Sequence, residues 1–385
     1  MTPLTLLFML SFLVYVDVRI LAPVLPSIAG SLGSTPGMVG LAMTTYAFAY
    51  GAGQLVYGPL SDRSSRLGVV RAAGLGFSLC TLLSAVCMTT GQFVVVRLLA
   101  GAFAGAVIPL TLVFIGDSVA YERRQIVIGQ LSVITSAGLA FSASIGGTIA
   151  YAISWRLMLL GYGLLALIPV GLMWRLDARA SQSVALAPQV TGRFFDFLRD
   201  RRAQFVYAGV FLEGFLLWGA VTYLGAFGMA RHGLDQFGVG LLIALFGVGT
   251  MAGGLCMATI RRHCSENTLA AIGGGGMGLS YLMLVPHWPW PVFGVSMVLL
   301  GLGFVGLHTT LQLRGTEISP AARGKAFSLF AFNLFCGISI GTAVFGRLVD
   351  AGHYDMMFTL AGLGLIVVGW GTALSPRRAH DLPEE

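Results

Sequence analysis

Charge is scarce in this 385-residue chain: Asp, Glu, Lys and Arg make up only 10% of it, against roughly 25% in an ordinary soluble domain. So few ionic groups cannot clothe a water-facing surface, which excludes the soluble globular class. Cysteine is equally thin. Cys80, Cys87, Cys256, Cys264 and Cys336 form no CxxC pair, so dithiol and zinc-ribbon spacings are missing and these residues read as small packing groups. HExxH, GxGD and a Ser/His pair at helical spacing are all lacking, which leaves hydrolysis inside a membrane without a carrier. A GxxxxGK[ST] loop is lacking too, so direct use of ATP is not expected. The chain reads as a non-enzyme with no cofactor and no metal. Its first apolar run has neither a basic leader nor a small-residue cleavage site, and holds Asp17 and Arg19; it is expected to stay as helix one.

What is abundant is hydrophobicity, at 56%. Apolar runs of about twenty residues, enough to cross a hydrocarbon core about 30 Å thick, recur at 4–29, 36–60, 69–90, 92–116, 125–151, 155–176, 204–230, 236–260, 267–286, 290–313, 324–349 and 354–375. They do not alternate with period two, so they are helices and not barrel strands. With the amino terminus inside, 18 of the 23 basic residues fall on the cytoplasmic side, and only Arg156, Arg231 and Arg347 fall opposite. That bias puts both termini in the cytoplasm. It also accounts for the net charge of +7 through lipid headgroups, with no nucleic-acid partner.

The longest polar stretch, 177–203, splits the twelve runs six and six. The expected architecture is an all-α membrane protein with a six-helix bundle over 1–176, a cytoplasmic linker over 177–203 and a second six-helix bundle over 204–385. The linker ends in RFFDFLRDRR, which suits a short amphipathic helix on the inner leaflet. Sliding the halves by 199 positions aligns Gly116 with Gly315, Arg124 with Arg323, Gly138 with Gly337 and Gly147 with Gly346. Repeated halves are the usual build of secondary transporters, with the solute site between them near the midplane.

Asp17 lies about thirteen residues into helix one, near 20 Å along it and close to mid-membrane. A charge there costs from about 2.5 kcal/mol, so it faces a wet cavity or a partner. Two readings stand: a protonation or substrate-charge site, or a static ion pair with Arg97. Arg19, two positions on, points about 200° away round the helix and is not its neighbour. Glu213 is the matching acid of the second half, so Asp17, Arg19, Arg97 and Glu213 form the candidate proton-coupling and substrate set. Tyr46, Tyr50, Gln54, Trp218, His308, Gln312 and Asn333 are cavity candidates, with interhelical hydrogen bonding or packing as the plainer reading. In GPLSDRSSRLGVVR (58–71), Asp62 would cap the amino end of helix eleven and Arg66 would pair with Asp117 while the cytoplasmic side is closed. The alternative is a plain positive-inside turn.

Gly58, Leu60, Asp62, Arg63 and Arg66 resemble the loop two to three motif of the major facilitator superfamily, with Ser65 where Gly is usual and Leu67 where Lys is usual. Arg97 and Gly101 in RLLAGAFAGA resemble its fourth-helix motif, and RGTEISPAARGKAFSL (314–329) resembles its second-half loop. The resemblance implies alternating access, with Gly58, Asp62, Arg63, Arg66 and Asp117 as a conformational latch. Drug/proton antiporters of the family often carry Gly-Pro-x-x-Gly-Gly in helix five. SAGLAFSASIGG keeps Gly138, Gly146 and Gly147 for close packing but has Ser142 and Ala143 at the Gly-Pro positions. The expectation is a monomeric, multi-pass protein of the bacterial inner membrane. It would export small amphipathic organic molecules, some of them cationic, at the expense of a proton gradient; its partners are solute, protons and lipid. A proton-driven importer, an exporter of one metabolite, and a receptor or scaffold using the same fold are the alternatives.

Overall fold

The computed structural model describes residues 2–63, 66–175, 200–319 and 323–375. The side chains of Gly58, Asp62, Arg63 and Arg66, and linker residues 177–199, lie outside what is described. Among the described residues all regular structure is helical. The first half contains α1 (Pro3–Ile20), α2 (Leu25–Ser31), α3 (Pro36–Arg63), α4 (Arg66–Ala85), α5 (Thr90–Ala104), α6 (Val107–Ser118), α7 (Tyr121–Ala152) and α8 (Trp155–Trp174). The second contains α9 (Arg201–Glu213), α10 (Gly219–Val221), α11 (Leu224–His232), α12 (Gln236–His263), α13 (Glu266–Leu282), α14 (Pro291–Glu317), α15 (Arg323–Asp350) and α16 (Tyr354–Leu374). Ten continuous runs among the described residues are long and apolar enough to cross a membrane. Large side chains such as Leu83, Val95, Leu164, Leu255, Val295 and Val367 face outward, as lipid-facing helices require.

Three runs that read as single rods are interrupted. Pro23 and Pro26 have no N–H to donate, and the first rod breaks at a 3₁₀ turn, Ala22–Val24, between α1 and α2. Pro109 cannot donate to the carbonyl of Gly105, and the fourth rod breaks between α5 and α6. Between α9 and α10 runs a π-helical segment, Gly214–Trp218.

The packing repeats. In the first half α1 packs on α7, α3 on α5, and α4 on both α5 and α8; in the second, α9 packs on α15, α12 on α14, and α13 on both α14 and α16. Across the halves α3 runs along α15 and α7 along α12. Glycine sets these approaches, because backbone must meet backbone without a Cβ between them. A Cβ on Gly147 would lie 2.4 Å from the carbonyl oxygen of Gln236, and one on Gly225 would lie 2.2 Å from that of Ala22. Both contacts belong to the arginine-poor end of the molecule, where the halves also meet through Asp350 against Thr35 and Gly37 and through Gln236 against Ser27.

Candidate functional site

The site begins with how α5 reaches α3. Gly101 and Gly105, one helical turn apart, lie against the backbone carbonyls of Tyr46 and Tyr50, where a Cβ would come within 2.3 and 2.5 Å. That approach lays the Arg97 guanidinium 4.3 Å from the centre of the Tyr46 ring. On its other side α1 presents Asp17. Arg97 donates from Nη1 to Oδ1 at 3.1 Å and from Nη2 to Oδ2 at 2.8 Å, and neither side chain is exposed. The pair is bidentate, the geometry guanidinium favours. Gly138 and Gly146 of α7 bracket this stretch of α1, packing on the carbonyls of Phe12 and Ile20. Tyr162 of α8 donates its hydroxyl to the Leu13 carbonyl. The stretch of α1 that carries Asp17 is therefore held by α5, α7 and α8.

The second half builds its own buried acid in a related way. Gly337 and Gly341 of α15 press on the carbonyls of Phe211 and Phe215, and Glu213 is fully buried between them in sequence. Its Oε2 lies 2.9 Å from His308 Nδ1, while Oε1 has no partner. The His308 ring stacks on Phe304 at 4.7 Å between centroids, and Phe304 meets Trp218 edge-on at 5.3 Å.

Trp218 carries Arg19, whose guanidinium sits 3.6 Å from the indole centroid. Arg19 is 6% exposed and its Nε has no hydrogen-bond partner. These two residues line a narrow cleft between the halves. Its other walls are Leu139, Ala140, Ser142 and Ala143 of α7, Ile243 and Phe246 of α12, and Met297 and Leu300 of α14, with Ala22, Val221 and Leu224 toward the closed end.

Of the sequence candidates, Asp17 and Arg97 come together, Glu213 joins His308, and Arg19 joins Trp218. Tyr46 supports Arg97, and the Tyr50 ring packs tilted against Phe335 of α15 at 4.5 Å between centroids. Asn333 donates to the Leu329 carbonyl of its own helix, while Gln54 and Gln312 are half-buried; none of these lines the cleft. Asp117 is exposed at the end of α6. Sequence reasoning missed Phe246 and Phe304 as walls of Trp218, and Asp350 as a contact between the halves. Ser142 and Ala143, read only as departures from a motif, turn out to be cleft wall.

A helical membrane chain whose halves meet around a cleft, with a buried acid to each side, has the makings of a transporter. A sequence model described as Major Facilitator Superfamily matches residues 7–342, and the chain belongs to that family. It is 23% identical to the chloramphenicol resistance protein of Pseudomonas aeruginosa, over 90% of this chain and 84% of that one. It is 25% identical to the inner membrane transport protein YnfM of Escherichia coli K12, over 84% of this chain and 78% of the relative. The crystal structure of the nucleoside transporter NupG superposes with a TM-score of 0.77 at 15% identity, covering 97% of this chain and 98% of that one. The fold is thus that of the family's transporters.

Proposed function

We propose that this transporter works by alternating access as a proton-coupled exporter of small amphipathic organic molecules across a bacterial cytoplasmic membrane. The transmembrane proton gradient is its energy source. The observation that carries the reading is the pair of buried acids, Asp17 on Arg97 and Glu213 on His308, placed in opposite halves with the cleft between them. A carboxylate that gains or loses its partner as the halves move changes its proton affinity, and a proton that binds one state better shifts the population toward it. Export is favoured by the drug-resistance relative.

Twelve spans, cytoplasmic termini and two six-helix bundles, 1–176 and 204–385, joined by 177–203, complete the proposal. The repeated helix pairings support the two bundles, and the arginine bias supports the orientation. On that orientation the closed, arginine-poor end is the outer one. We treat the monomer as the working unit, with solute, protons and lipid as its partners. The test is flux of a panel of dyes and metabolites into inside-out vesicles, with and without a pH gradient, for the wild type and Asp17→Asn. Gradient-driven flux is expected in the first and not in the second; unchanged flux in the variant would refute the assignment of Asp17.

A further inference from the structure

The geometry points to an organic anion, a carboxylate on an apolar or aromatic body, as the solute class that Arg19 and Trp218 bind in the cleft. This rests on the transport reading above and specifies its substrate.

The argument is one of charge. Among the cleft's lining residues Arg19 alone is ionic, and the remaining walls are aliphatic or aromatic apart from Ser142. The Ser142 hydroxyl is directed to the Leu139 carbonyl at 2.9 Å. Asp17 cannot neutralise Arg19, because both of its oxygens are engaged by Arg97. Glu213 is engaged by His308. The guanidinium is therefore nine-tenths buried with an indole face for company, and a cation on a ring recovers a small part of the cost of desolvating it. A carboxylate entering the cleft supplies the missing counter-charge in the fork geometry that guanidinium favours. The solute's apolar body then lies against Ile243, Phe246, Met297 and Leu300. A cation would meet like charge in a low-dielectric cleft, which reverses the sign of solute suggested by the sequence.

The test uses three probes of matched shape: 3-phenylpropanoate, 3-phenylpropanamide and 3-phenylpropylammonium. Equilibrium binding to the full chain in detergent is followed by Trp fluorescence and by calorimetry. The expected result is at least about tenfold tighter binding of the anion than of the amide, with the cation weakest. Arg19→Gln should erase the preference for the anion while the amide binds as before. Arg19→Lys, which keeps the charge and loses the fork, should retain part of that preference and shows that the site stays folded. Equal binding of anion and amide, a preference that survives Arg19→Gln, or no anion binding at millimolar concentration would each overturn the inference. No gradient is present, so failure here leaves proton-coupled flux of other solutes standing, and loss of that flux leaves this binding result standing.

Discussion

Asp350 caps Gly37. From the last turn of α15 its carboxylate accepts the Gly37 backbone N–H and the Thr35 hydroxyl, each at 2.7 Å, at the first turn of α3. A carboxylate at a helix amino terminus contributes about 0.3–1 kcal/mol, and here it does so across the two halves. Asp350→Ala should therefore favour opening at the arginine-poor end, by about fivefold for 1 kcal/mol. Spin labels at Ser34→Cys and His353→Cys, with the five native cysteines replaced, would report the distance. An unchanged distance distribution would show that the cap does not hold this end shut.

The Asp17–Arg97 contact predicts a strong departure from additivity. Removing either partner strands a buried charge, at a cost of about 3–5 kcal/mol. Asp17→Asn and Arg97→Gln should each lower thermal stability sharply, and the double variant should lose much less than the sum. Additive losses would show that the two side chains are energetically independent.

Much of this pair was legible in the sequence, since an acid in mid-run and an arginine followed four residues later by Gly101 already stand out. Arg19 and Trp218 were less so. They are 199 residues apart, equivalent positions of the two halves, and which faces meet depends on the break at Ala22–Val24 and on the π segment. The prolines signal the first of these; nothing in the sequence signals the second. Asp350 was illegible for another reason, because an acid at a helix end reads equally well as a solvated terminus.

Gly147 and Gly161 make opposite predictions for the same change. A Cβ on Gly147 meets the Gln236 carbonyl at 2.4 Å, whereas one on Gly161 meets nothing within 4 Å. Gly147→Ala should hold the arginine-poor end open and stop transport, though alanine is the better helix former by about 1 kcal/mol. Gly161→Ala should transport normally. Normal flux with Gly147→Ala would mean that α7 and α12 need not approach so closely.

Glu213→Gln removes an ionisable group and keeps the shape. The expected outcome is loss of gradient-driven accumulation in proteoliposomes, by about tenfold or more for a coupling group, with downhill exchange of solute retained. His308→Gln should behave in the same direction. Accumulation at wild-type level in both variants would remove this pair from the coupling scheme.

The π segment begins one residue after Glu213 and ends on Trp218. A winding of this kind holds an extra residue in its turn, and expelling that residue rotates one flank against the other by about 100°. Only four residues thus lie between the carboxylate facing His308 and the indole beneath Arg19. A slip of register there would turn the indole's face away from the guanidinium, so the proposed proton site and the proposed solute site would be geared to each other along a single stretch of backbone.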